Sequence, residues 1–360
     1  MPVKLKEIAT LAGVSQPVVS AVLNNTGGGV RVSKEKSRKI RALAEELGYI
    51  PNYAAQKLRG RHTPTIGIIG GGFQVPMQTV LISQLMRKFS EKGYFVLLNN
   101  NINNQNSMTD GHTAVRELLS RGIDGALLIG NYSQKTRKLL NLPCVILRNT
   151  SPGQYFDYNI DSQTGTFLAV KHLFKHGHKK IIITANTQAL EDDRACGNTF
   201  KYSGAQEAFQ EAGLSLDYLK LFGLVDDSEN KDNQEELLRL IRDEAFTAIV
   251  CGNDFAASRI MSFLKSNGIK IPEDFAIIGY NGSAFTRFTS PPLTTVVQPL
   301  KLMATKAFEL LLWRIEEGIN GIACSKFEMI VPYLSVGGSC GCEIQPIDIL
   351  GSSPETLTLE

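Results

Sequence analysis

The strongest constraint on this chain is a repeated alternation. Nine short apolar runs recur from residue 65 onward: TIGIIG, FVLLNN, GALLIG, CVILRN, KIIITAN, YLKLFG, TAIVCG, FAIIGYN and TTVVQP. Segments with helical spacing lie between several of them, near residues 77–92, 107–121, 162–176, 200–212, 230–244, 255–267 and 299–317. Strands alternating with helices make parallel sheets covered on both faces, and strands buried on both faces read as continuous apolar runs. About 280 residues, 63–342, are too many for one modest sheet. The expected body is therefore α/β, with two doubly wound parallel-sheet subdomains and a cleft between them. Ligands of such sheets sit beyond the carboxyl ends of the strands.

The residues before this pattern obey a different rule. LKEIATLAG places Leu5, Ile8, Ala9 and Ala12 on one helical face, and Gly13 supplies a stop able to turn left-handed. Ser15 suits an N-cap and Pro17 an early helical position, so a second helix runs to about Leu23 with Val18, Val19, Val22 and Leu23 inward. A third follows Ser33 and turns Ile40, Leu43, Ala44 and Leu47 inward. Two short helices joined by a tight glycine turn form a helix-turn-helix, whose second helix enters the major groove. Small side chains at Ser15, Gln16, Ser20 and Ala21 permit close approach there, and Gln16 can pair with an adenine edge.

Charge supports that partner. The whole chain carries +3, but residues 1–62 hold eleven Lys/Arg against four Glu, a local +7. A basic head on a mildly acidic body fits a polyanion for the head. No apolar stretch reaches the roughly 20 residues of a membrane span, and MPVKLKEIATLAG has no secretory pattern, so a cytoplasmic protein is expected. Of six cysteines only Cys340 and Cys342 are close in sequence, as C-x-C with no adjacent His, and reduced thiols are the expected state. The His172/His176 spacing could bind a metal, but no metal and no cofactor is expected. GIIGGGF lacks the dinucleotide spacing G-x-G-x-x-G, no catalytic motif is present, and an enzyme is not expected.

LKEIATLAGVSQPVVSAVLN resembles the head of the lactose/galactose repressor family, LacI/GalR. RVSKEKSRKIRALAEELGYIPNYAAQKLRG continues the likeness, and HLFKHGHKKIIITAN, TAIVCGNDFAA and IPEDFAIIGYNGSAFTRFTSPPLTTVVQP stand in family order. The resemblance implies a helix-turn-helix domain at 1–50, a hinge helix at 51–62, an effector and dimerisation domain at 63–342 resembling periplasmic sugar-binding proteins, and a tail at 343–360. It implies operator contacts from Ser15, Gln16, Pro17, Ser20, Ala21 and Asn24, and from Asn52, Ala55 and Leu58 of the hinge, Leu58 being the minor-groove wedge. Where this chain has Ala21 the family often has Arg. Effector contacts are implied at Phe73, Gln74, Asp161, Lys201, Asn253, Asp254 and Asn281. Lys201 stands where the family usually has Arg, and Asn281 where it usually has Asp, so a plain sugar held by that pair is not what the residues favour. The implied function is a homodimeric DNA-binding transcriptional regulator, a repressor on a near-palindromic operator, controlled by a small polar ligand such as a sugar or related metabolite. The alternative is a solute-binding protein of a transport system, which the body alone would allow.

Overall fold

A computed structural model of the 360-residue chain describes residues 3–23, 32–50, 64–70, 76–100, 111–130, 132, 134–148, 155–186, 196–224, 231–320 and 328–343. The chain divides into two compact units, Met1–Thr63 and Pro64–Glu360.

Among the described residues the first unit contains three helices, α1 (Leu5–Ala12), α2 (Gln16–Leu23) and α3 (Lys34–Glu46). Their apolar stripes meet in a small core of Ile8, Ala9, Val19, Val22, Ile40 and Ala44. Leu43, Leu47, Val18 and Leu23 pack at its margin, as the spacing predicts. The Ser33 hydroxyl accepts the Lys36 N–H at 3.2 Å and starts α3, a side-chain cap contributing about 1 kcal/mol.

The second unit holds two six-stranded sheets. The first comprises β1 (Thr65–Gly70), β2 (Phe95–Asn100), β3 (Gly125–Ile129), β4 (Cys144–Leu147), β5 (Tyr158–Ile160) and β11 (Glu328–Ile330), ordered β11-β5-β4-β3-β1-β2. The second comprises β6 (Ile181–Asn186), β7 (Leu219–Leu224), β8 (Ala248–Val250), β9 (Ala276–Asn281), β10 (Thr294–Val297) and β12 (Tyr333–Ser335), ordered β12-β10-β9-β8-β6-β7. The orders are the same pattern repeated. All pairings are parallel except β10 with β12. Every residue of β3, β4 and β8 is buried, the signature of strands covered on both faces. Three sheet strands, β5, β11 and β12, were not expected from sequence. Each spans three residues and mixes polar with apolar positions (YNI, EMI and YLS), unlike the equally short but wholly apolar β8 (AIV).

Helices cover the sheets: α4 (Pro76–Glu91), α5 (Gly111–Ser120), α6 (Gln134–Lys138), α7 (Ser162–Lys175), α8 (Cys196–Glu211), α9 (Lys231–Arg242), α10 (Asp254–Ser266) and α11 (Leu300–Glu316). The chain passes from the first sheet to the second after β5, returns after β10 into α11, and passes again between β11 and β12. Helices α7 and α8 approach closely because residue 204 is glycine; a Cβ there would stand 2.0 Å from the Gln163 carbonyl oxygen. In the first half Arg314 of α11, 1% exposed, donates to Asp157 Oδ1 at 2.6 Å and to the Cys144 carbonyl oxygen. Asp157 Oδ2 accepts the Ile146 N–H at 2.8 Å, so a buried charge pair joins a covering helix to strands β4 and β5.

Candidate functional site

In the helical unit, Gly13 takes φ 63° and ψ 38° and ends α1; the Val14 N–H returns to the Ala9 carbonyl oxygen at 3.0 Å. The chain re-enters helix within three residues, and the Ser15 carbonyl accepts the Val18 and Val19 N–H groups. Val19 and Val22 are buried, which turns Ser15, Gln16 and Pro17 outward; Ser20 and Ala21 are half-buried. Arg41 Nη2 donates to the Val22 carbonyl oxygen at 2.9 Å and ties α3 to the end of α2. The exposed start of α2 carries no acidic side chain. Lys4, Lys6, Lys34, Lys36, Arg38, Lys39 and Arg41 are all exposed. An exposed helix start with small polar side chains, on a unit whose Lys and Arg side chains are exposed, suits base edges and a phosphate backbone. Asn24 and the hinge residues Asn52, Ala55 and Leu58 lie outside the described residues, as do Phe73 and Gln74.

In the α/β unit, polar groups gather at the carboxyl edge of the second sheet. Its strand order reverses direction between β6 and β8, a topological switch point. There the Thr184 hydroxyl accepts the Gly252 N–H at 2.7 Å, and Lys201 Nζ of α8 donates to the Gly252 carbonyl oxygen at 2.7 Å. The same ammonium lies 4.0 Å from the centre of the Tyr280 ring. Burial, and then the charge of Arg148, push the Lys201 ammonium down to about 8. Arg148 follows β4 of the first sheet. Its Nη1 donates to Gln298 Oε1 at 2.7 Å, and Gln298 Nε2 donates to Asn281 Oδ1 at 2.9 Å. Gln298 lies between β10 and α11, so this relay joins the two halves at a crossover. Burial holds Arg148 down at about 10. Arg148 and Asn281 have φ 57° and 114°, left-handed values that favour glycine. Such strain persists where the surroundings hold it, commonly at functional sites.

The remaining expected contacts have local partners. Asp161 caps α7, accepting the Thr164 N–H at 3.0 Å and its hydroxyl at 2.7 Å. Exposed Asn253 caps α10 by accepting the Ala256 N–H at 2.8 Å. Asp254 is fully buried; Oδ1 accepts the Thr295 hydroxyl at 2.5 Å and Oδ2 the Ser283 N–H at 2.7 Å. Burial raises its carboxyl, and these hydrogen bonds oppose the rise. Asp254 therefore anchors the turn after β9, beside Asn281.

The model of the lacI family of bacterial regulatory proteins matches residues 4–52, and that of the periplasmic binding protein-like domain matches residues 170–340. The HTH-type transcriptional repressor PurR of Pasteurella multocida is 31% identical over 321 residues, 87% of this chain and 92% of that protein. The chain belongs to the LacI family. PurR of Vibrio atlanticus is likewise 31% identical, over 87% of this chain and 92% of its own. The fold is that of the lac repressor dimer bound to operator and the anti-inducer ONPF, at TM-score 0.76 and 21% identity over 94% of this chain and 99% of that one. The transcriptional regulator CelR–cellobiose complex matches at TM-score 0.62 and 22% identity over the same shares of the two chains.

This LacI-family chain is thus a DNA-binding transcriptional regulator under small-molecule control and not an enzyme or a transport component. No helix among the described residues is long and apolar enough to cross a membrane. Three members of its polar cluster, Arg148, Tyr280 and Gln298, were not singled out by the sequence reading. The signal available was modest: an Arg closing an apolar strand run, and a Gln before the Pro that ends another.

Proposed function

We propose that this LacI-family repressor binds a near-palindromic operator as a homodimer and is switched by a small polar effector rich in acceptor oxygens, an acidic group included. Ser15, Gln16, Pro17, Ser20, Ala21 and Asn24 read the major groove. Asn52, Ala55 and Leu58 act at the minor groove between the half-sites. The repressor works in the cytoplasm, on the chromosome.

One observation supports the effector class: two cations, Lys201 and Arg148, converge beside Asn281 at the carboxyl edge. Desolvated cations gain most from a ligand that brings negative charge or oxygen lone pairs. A ligand seated there would contact the Arg148–Gln298–Asn281 relay, which spans the crossover between the halves. It changes DNA affinity only through its preference for one arrangement of those halves. Phe73, Gln74, Asp161 and Asn253 are further effector contacts in this reading, and Asp254 anchors the turn beside Asn281.

The test has two stages. Genomic fragments retained by the full-length protein define its operator. Thermal shift and calorimetry with matched sets of neutral sugars, sugar acids and sugar phosphates then define the effector. Oxygen-rich acidic ligands are expected to raise the melting temperature and to lose affinity at least tenfold in Lys201→Met. Equal affinity in Lys201→Met would remove this site, and binding confined to cationic or apolar compounds would reverse the proposed class.

A further inference from the structure

The sequence holds two pairs of metal-compatible side chains about 165 residues apart, and neither pair makes a site alone. The fold joins them. His172 and His176 are one turn apart at the carboxyl end of α7, so their imidazoles share a helix face, with ring centres 4.8 Å apart. Cys340 and Cys342 follow β12 on the short turn Gly338–Cys340 and the residues after it. Between them Gly341 takes φ 93°, a value that favours glycine, and the chain reverses so that the two sulfurs lie 3.4 Å apart.

The four donor atoms all lie within 4.8 Å of one another. His172 Nε2 is 3.2 Å from Cys340 Sγ and 3.5 Å from Cys342 Sγ, and His176 Nε2 is 3.1 Å from Cys342 Sγ. With Zn–S near 2.3 Å and Zn–N near 2.0–2.1 Å, the edges of a tetrahedral Cys2His2 centre are about 3.3–3.8 Å. The four short separations, 3.1–3.5 Å, need outward adjustments of a few tenths of an ångström, and the longest, up to 4.8 Å, must close by about 1 Å. The site also has a second layer. The Thr294 hydroxyl lies 3.0 Å from Cys340 Sγ, within reach to donate to a thiolate, and accepts the Gly337 N–H at 2.9 Å. His172, Cys340 and Thr294 are buried, whereas His176 is exposed and Cys342 half-buried, which leaves an entry side. His178 is not a member; its Nδ1 is 3.0 Å from the Thr247 hydroxyl.

We propose that His172, His176, Cys340 and Cys342 form a structural zinc site that fastens the end of the effector domain to α7. Two thiolates and two imidazoles select zinc over the hard cations, which take oxygen donors. Four protein ligands leave no open position, so the ion's role is to hold segments together. The cluster lies at the amino end of β10, opposite the carboxyl edge that carries Lys201 and Asn281, so it is separate from the effector site.

The test uses the full-length protein, purified in reductant and stripped with a chelator, then titrated with Co(II) and with Zn(II). The expected result is one ion per protomer. The cobalt form should show intense tetrahedral d–d bands and a thiolate-to-cobalt charge-transfer band, and zinc should displace it. Cys342→Ser and His176→Ala, both on the accessible side, should weaken zinc at least 100-fold while retaining operator binding and the native circular dichroism. His176→Cys, which leaves a Cys3His donor set, should retain an ion. Weak octahedral cobalt bands without charge transfer, or equal zinc affinity in wild type and Cys342→Ser, would overturn the site. So would a Cys340–Cys342 disulfide in the reduced preparation.

Discussion

The two halves of the effector domain repeat one strand order but secure the amino edges of their sheets with different chemistry. In the first half the Arg314 guanidinium reaches from α11 to Asp157 and the Cys144 carbonyl oxygen, at the start of β4 and just before β5. In the second, His172 and His176 of α7 meet Cys340 and Cys342 near the start of β10. In the first device each charge has its opposite and further hydrogen bonds. The second brings four lone-pair donors together and is completed by a cation. Both lie at the edge away from the polar cluster that joins the halves. A domain whose halves must shift against each other gains from edges that stay rigid.

Breaking the first device should cost most. Arg314→Met leaves the Asp157 carboxylate buried without its cation, and the expected loss is about 3–5 kcal/mol, measured by urea unfolding. A loss under 1 kcal/mol would mean that this edge is held by apolar packing alone. Zinc at a hundredfold excess over its dissociation constant should stabilise the effector domain by about 2.7 kcal/mol. That gain should persist in Arg314→Met if the two edges are independent. Thr294→Val should cost about 2 kcal/mol, because the buried Gly337 N–H loses its acceptor, and should also lower zinc affinity. An unchanged zinc affinity would detach Thr294 from the site and leave only its backbone role.

The smallest effect concerns pH at the opposite edge. Lys201 has its ammonium lowered from 10.5 to about 8, so the folded chain disfavours that charge. Between about pH 8 and 10.5 the unfolded chain binds the extra proton, so this residue makes stability rise with pH across that window. An acidic effector needs the charged ammonium, so its affinity should fall as pH passes above about 8. Lys201→Met should flatten both trends. Persistence of both in that variant would assign them to another group.

The architecture was legible in the sequence where buried strands are long enough to form apolar runs, as in TIGIIG and GALLIG. The short strands β5, β11 and β12, each with a polar residue among its three, carry no such signal. In the head, Val19 and Val22 inward and Gln16 outward followed from helical spacing alone. The effector edge was less legible. Asn253 and Asp161 suit ligand contact and helix capping equally by residue type, and only the hydrogen bonds show them capping. Arg148 and Gln298 meet across 150 residues of chain, and no local pattern announces that. The histidine and cysteine pairs are the extreme case. Each pair is visible in the sequence, but the contact between α7 and the turn after β12 that brings them together exists only in three dimensions.

In the proposed mechanism a ligand at the carboxyl edge sets the grip of the helical head on DNA. The most direct measurement is fluorescence anisotropy of the full-length protein on its selected operator, with and without the effector found by calorimetry. The operator dissociation constant is expected to change at least fivefold in wild type, in either direction, and not at all in Lys201→Met. An operator affinity that saturating effector leaves unchanged in wild type would contradict it.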